Sequence, residues 1–397
     1  MKILVVCQYY YPENFQITPI CESLTNLGHN VTVLTGLPNY PTGIIPDEYK
    51  KQHHEETING VHVIRTFEIG RKKGIIHLAL NYLSYMISSL HKIKKLDNDF
   101  DLVFVYQLSP VLMGLAGRKY SKRNSTPLFL YCCDLWPESM KIYLKNEKSL
   151  AFRFIKSISK KVYSSADYIA VQSKSFINYL HSVHGIPENQ IMYFPAFADE
   201  SYLEFDFTPT NSVTDFVFLG NIGIAQNLSE VINAVEKIRN IPNFQVHIVG
   251  DGSYLQVLKN EVKNKELENI VKFYGRRSVD EMNDFYKLAD ACLISLKTDD
   301  EVGLTLPSKM QGYMAAGKPI IGMINGSAQD VINESHCGIC VSADDTDGFA
   351  VAMKDFIENK DNYRECGTNG RNYFIRNFRK SIFMEKLENK MKELRKS

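Results

Sequence analysis

KILVVCQYYYPENF, residues 2–15, runs from a short apolar segment into a polar, proline-bearing loop, and a helical pattern begins near Thr18. Strand, loop and helix in that order open a parallel α/β layer. The alternation recurs in VTVLTG (31–36), VHVIRTF (61–67), a long helix over 76–95, DLVFVY (101–106), a helix from Pro110, LFLYCC (128–133) and ADYIAVQS (166–173). Continuous apolar strands between helices imply a sheet covered on both faces. Residues 195–215, PAFADESYLEFDFTPTNSVTD, break the rhythm and read as a linker. It restarts with DFVFLGN (215–221), FQVHIVGDG (244–252), IVKFYG (270–275), ACLISL (291–296) and KPIIGM (318–323), and residues beyond Asp345 read as helices. The expected architecture is α/β, with two doubly wound Rossmann-like domains facing a central cleft: residues 1–195, residues 215–375, and a helix of residues 376–397 that crosses back to the first domain.

Length agrees with two domains, since one core rarely organises more than roughly 250 to 300 residues and this chain has 397. The net charge of +1 conceals a split. Residues 1–195 hold 22 Lys and Arg against 15 Asp and Glu, and the remainder 24 against 30. The first half is therefore the one suited to an anionic surface. Its basic residues are dispersed and accompany no nucleic-acid-binding pattern, so no nucleic acid partner is expected. The eight cysteines sit mostly in apolar runs, a reduced, cytoplasmic pattern, and Cys337 and Cys340 lack the second pair a zinc site needs. No run of about 20 apolar residues is present to cross a bilayer.

Ligands of such folds bind at the carboxyl ends of the strands. FLGNIGIAQN (218–227) places two glycines between a strand and a helix, which is either a phosphate-approaching loop or a tight turn. VGDGS (249–253) repeats the arrangement, and YGRRS (274–278) sets two arginines at another strand end. In EVGLTLPSKMQGYMAAGKP (301–319), Thr305 or Ser308 can cap a helix, Pro307 suits its first turn and Lys309 projects from that turn. Lysine beside a helix N-terminus suits a diphosphate leaving group, and Glu301 suits sugar hydroxyls; the alternative is two surface charges. YCCDLWPESM (131–140) places Asp134 just beyond a strand, as a partner for a substrate hydroxyl or as a helix cap. QYYYPENF (8–15) and YQLSP (106–110) fall on the same side. Two apolar stripes with basic flanks, Ile76, Leu80, Leu83, Ile87, Leu90 and Leu150, Phe154, Ile158, Val162, fit either core helices or a membrane-surface face.

Taken in order, KILVVCQYYYPEN, GHNVTVLTGLPNYPTG, DLWPES, FLGNIGIAQNL, GDG and LPSKMQGYMAAGKPI resemble the GT-B glycosyltransferases of family 4, in the bacterial branch that builds capsule and O-antigen units on a lipid carrier. The resemblance implies a retaining, metal-independent transferase with no cofactor, peripheral on the inner face of the cell membrane. Its donor would be a nucleotide sugar, usually UDP-linked, with N-acetylated and deoxy amino sugars among the candidates, and its acceptor lipid-linked on polyprenyl diphosphate. By the same resemblance Gly220, Asn221, Gly223 and Gln226 face the donor with Gly250, Thr305 and Ser308; Lys309 meets the diphosphate, Glu301 the sugar and Arg276 the base. Asp134 lies on the acceptor side with Tyr10, Glu13, Asn14 and Gln107. Two features depart from the family. Gly312 stands where many members carry a ribose-gripping glutamate, and GNIGIAQN has no basic residue. The competing expectations are a sugar-nucleotide epimerase of the same architecture and a non-catalytic partner subunit.

Overall fold

The computed structural model describes residues 1–396 except 51–54, 73, 142–143, 145 and 298–304. The chain divides into two compact units, one of Met1–Gln172, Phe176–Phe194 and Met384–Ser397, the other of Ser173–Ser175 and Pro195–Phe383. The stretch read as a linker thus belongs to the second unit. Phe207 is the reason: it is buried and packs on Tyr202 and Tyr286, 6.3 and 5.5 Å between ring centroids.

The first unit carries eight strands: β1 (Lys2–Val6), β2 (Asn30–Thr35), β3 (Glu55–Ile58), β4 (Val61–Arg65), β5 (Leu102–Gln107), β6 (Leu128–Cys132), β7 (Tyr168–Val171) and β8 (Ile191–Tyr193). Their order is β3-β4-β2-β1-β5-β6-β7-β8. All pairs are parallel except β3 with β4. Val5 of β1 faces Val33 and Phe104 of its two neighbours, so the apolar run at the N-terminus is the central strand of the sheet. β4 lies within the expected VHVIRTF, but its hairpin partner β3 is not among the expected strands, because EETI is polar and half exposed at a sheet edge. Its signal was Asn59-Gly60, whose φ values of 47° and 81° form the tight turn that suits a right-twisted hairpin.

Residues Met384 onward, in the helix Lys380–Lys396, pack on this first unit. Leu387 and Met391 are buried, His29 Nε2 lies 2.9 Å from Glu388, and Lys390 Nζ sits 3.5 Å above the Tyr168 ring.

The second unit holds β9 (Thr214–Leu219), β10 (Phe244–Val249), β11 (Val271–Gly275), β12 (Ala291–Ser295), β13 (Ile320–Met323) and β14 (Gly338–Val341), in the order β11-β10-β9-β12-β13-β14, every pair parallel. Chain order reverses direction at β1/β5 in one sheet and at β9/β12 in the other. A crevice opens outside the carboxyl ends of the strands at such a switch point, because successive helices leave to opposite faces.

Candidate functional site

The loops after β9 and β12 flank the second switch point and are tied together. Ser295 Oγ donates to Gln226 O at 2.5 Å, and Lys297 N–H donates to Ala225 O at 3.0 Å. Gly220 has φ 134°, and a side chain on Gly250 would come within 1.7 Å of Gly220 O. Both glycines are therefore required for the two strand ends to approach, leaving bare backbone at the crevice. A cavity of about 520 Å³ lies there, lined by Asn221, Gln226, Thr305, Ser308, Lys309 and Gly312 among others. A second, of about 370 Å³, shares Gly220 and Asn221 and adds Gly250 and Arg276.

Lys309 is the electrostatic centre of the larger cavity. It lies in the first turn of the helix Ser308–Ala315, whose preceding position is Pro307 and which no side chain caps. Its ammonium is buried with no hydrogen-bond partner among the described residues, 3.7 Å above the face of Phe218. Burial pushes its pKa down to about 7. A cation held by an aromatic face, with no counter-ion among the described residues and beside an uncapped helix N-terminus, is arranged for an anionic ligand.

The sequence-derived residues fare unequally. Thr305 and Ser308 line the cavity, but neither caps the helix, because Pro307 fills that position. Gln226 uses its Oε1 within its own loop, accepting from Gly223 N–H at 2.9 Å and Asn221 Nδ2 at 3.4 Å, so it shapes the turn. Glu301 lies outside the described residues.

In the first unit, Asp134 is partly buried behind β6. Its Oδ2 accepts from Ser109 Oγ at 2.9 Å, and that hydroxyl in turn accepts from Trp136 Nε1 at 3.0 Å. Burial raises the Asp134 pKa while the Ser109 bond opposes the rise. The carboxylate is thus aligned from behind by Ser109. Asn14 is exposed, but three acceptor-side expectations meet inward-turned side chains. Tyr10 is 1% exposed in the core. Glu13 is buried and accepts from the N–H groups of Asn39 at 2.8 Å and Tyr40 at 2.6 Å. Gln107 is buried and donates to Leu108 O and Asp134 O, holding the backbone of Asp134 in place. Beneath this loop Glu68 Oε1 accepts from Gln8, Asn39 and Asn81, and burial pushes its pKa up to about 8. A strand-end residue can equally point into such a frame.

Sequence reasoning missed Phe218, Tyr286, Asp199 and Tyr202 at the second-unit site. Phe218 lies in the expected strand that leads into FLGNIGIAQN, Tyr286 in no segment singled out, and the last two in the presumed linker.

The helix Ile75–Lys92 buries Leu78, Tyr82 and Tyr85 and leaves Ile76 and Ile87 72% and 63% exposed, so it is apolar on opposite faces. In the helix Leu150–Tyr163, Leu150 and Phe154 are exposed while Val162 is buried, so that expected stripe does not lie on one face. Among the described residues no helix is long and apolar enough to cross a membrane.

The family model described as Glycosyltransferase Family 4 matches residues 16–202, and that described as Glycosyl transferases group 1 matches residues 205–373. The chain belongs to the GT-B glycosyltransferases of family 4. Among curated relatives, it is 23% identical to N-acetyl-alpha-D-glucosaminyl L-malate synthase of Bacillus anthracis, over 94% of this chain and 91% of that one. It is likewise 23% identical to the colanic acid biosynthesis glycosyl transferase WcaI of Escherichia coli K12, over 80% and 82%. Anabaena HepE, solved in complex with UDP, has the same fold, with a TM-score of 0.71 at 14% identity over 99% of this chain and 100% of that one.

Proposed function

We propose that this glycosyltransferase moves a sugar, with retention and without a metal ion, from a UDP-linked donor to a saccharide on polyprenyl diphosphate in surface polysaccharide synthesis. Residues 215–375 hold the donor and residues 1–195 the acceptor, with residues 376–397 bracing the first domain. The observation that carries this reading is the buried Lys309 ammonium, without a hydrogen-bond partner among the described residues, at an uncapped helix start. A diphosphate supplies the missing counter-charge, and the same ammonium stabilises the nucleoside diphosphate as it leaves. Asp134 hydrogen-bonds the incoming acceptor. The UDP in the HepE structure and the colanic acid role in the WcaI name agree with this donor and product class. The test is a thermal-shift panel of nucleotide sugars. A UDP-sugar is expected to raise Tm with the logarithm of its concentration, and no shift with any nucleotide sinks the donor assignment.

The acceptor's lipid places the enzyme at the anionic inner face of the cell membrane. Supporting this, exposed Ile76, Leu80, Leu83 and Ile87 adjoin Arg71, Lys72, Lys92 and Lys95, so apolar insertion and charge attraction act together. Flotation with phosphatidylglycerol vesicles is expected to carry the protein at low salt. Most of it should remain in the soluble fraction after joint Ile76→Ser and Ile87→Ser substitution. Failure of the unaltered protein to float excludes the membrane role.

A further inference from the structure

Gly312 occupies the second turn of the Lys309 helix, facing the 520 Å³ cavity. A Cβ at this position would lie 2.7 Å from Tyr286 Oη, with the next ring atom at 4.0 Å. The phenol oxygen therefore stands in the space a side chain at 312 would take. Tyr286 also lines the cavity, and its hydroxyl has no hydrogen bond among the described residues. Its ring is fixed: Tyr202 packs edge-on at 4.8 Å, Phe207 at 5.5 Å and Tyr313 at 6.3 Å, and the residue is 4% exposed. The phenol oxygen opens on the cavity with its donor and acceptor capacity unused by the described residues, which a ligand hydroxyl can take up.

We propose that Tyr286 is a hydroxyl-binding residue of this site, its O–H reaching a ring hydroxyl of the bound nucleotide sugar through the opening left by Gly312. The inference rests on the donor reading above and deepens it. Lys309 answers the charge of the ligand, whereas Tyr286 answers its sugar. The two side chains come from different elements, Tyr286 from the helix Met282–Leu288 and Lys309 from Ser308–Ala315, and they converge on one cavity. An asymmetry in specificity follows. A neutral phenol both donates and accepts, so it accommodates a hydroxyl in either orientation, where a carboxylate would demand a donor. Gly312 is then a requirement of the site, since any side chain there displaces the phenol.

The probes are UDP, 2′-deoxy-UDP, 3′-deoxy-UDP and UDP-glucose, titrated calorimetrically. Tyr286→Phe keeps the three ring contacts and is expected to leave the ligand-free Tm within a degree or two. Its Kd is expected to weaken five- to tenfold, the scale of one hydrogen bond. If the partner is a ribose hydroxyl, UDP already shows the loss, and the matching deoxy analogue binds both proteins alike. If it is a hexose hydroxyl, the loss appears with UDP-glucose and not with UDP. Gly312→Ala is expected to give a similar loss, and the double variant little more, because both changes remove one interaction. A Tyr286→Phe protein that binds UDP and UDP-glucose within twofold of the unaltered chain overturns the proposal, even if Lys309→Ala abolishes binding, in which case the donor reading stands. Absence of any nucleotide binding by the unaltered chain overturns both.

Discussion

Replacing Lys309 with alanine is expected to weaken UDP binding by at least tenfold and to lower sugar transfer by about two to three orders of magnitude, the scale seen when one charge-stabilising group is removed from an active site. The ligand-free variant should be no less stable than the unaltered protein. The ammonium is buried over Phe218 with no counter-ion among the described residues, so its removal relieves a desolvation cost. Weaker binding with undiminished Tm separates a functional lysine from a structural one. The pH dependence sharpens the test. Burial sets the Lys309 pKa near 7, so in the free protein the ammonium is lost as pH rises through that value. UDP affinity should therefore fall between about pH 6.5 and 8.5, by up to tenfold per unit, with the slope absent in Lys309→Ala. Stability has the opposite sign. Between about 7 and the ordinary lysine value of 10.5 the unfolded chain holds the extra proton, so the folded state gains as pH rises there. Unchanged transfer by Lys309→Ala removes the diphosphate role.

Asp134→Asn is expected to leave UDP binding unaltered and to depress kcat by about a hundredfold, the contribution typical of a positioned acid or base. Asparagine preserves the acceptor oxygen for Ser109 Oγ, so the Ser109 and Trp136 alignment survives and only the charge is lost. Labelled donor with a lipid-linked acceptor provides the assay. If kcat stays within threefold, Asp134 is a loop-stabilising residue. The two substitutions fall in different compact units and both should depress transfer, but only Lys309→Ala should weaken UDP binding.

The central strands were legible because β1, β5, β9 and β12 are buried on both faces and therefore each carry an unbroken apolar run of four or five residues. β3, β8 and β14 escaped notice because strands of three or four residues at or near a sheet edge need no apolar run. Lys309 was legible from its place just inside a helix start. Phe218 and Tyr286 were not, since each acts through a partner distant in the chain, Lys309 in one case and the gap at Gly312 in the other. Tyr10, Glu13 and Gln107 show the converse error. Position at a strand end locates a backbone, while the direction of its side chain is decided by the buried network around Glu68 and by the core.

The placement of residues 384–397 on the first unit also has a temporal consequence. A ribosome delivers the chain from its N-terminus, and domains generally fold as they emerge. Here the surface that receives Leu387 and Met391 exists long before those residues do, and the whole second unit is synthesised in the interval. The first unit thus waits through the synthesis of residues 195–383 with an apolar seam open to water or to chaperones. Premature termination between Phe383 and Leu387 would leave a fully encoded second unit and a first unit that never closes.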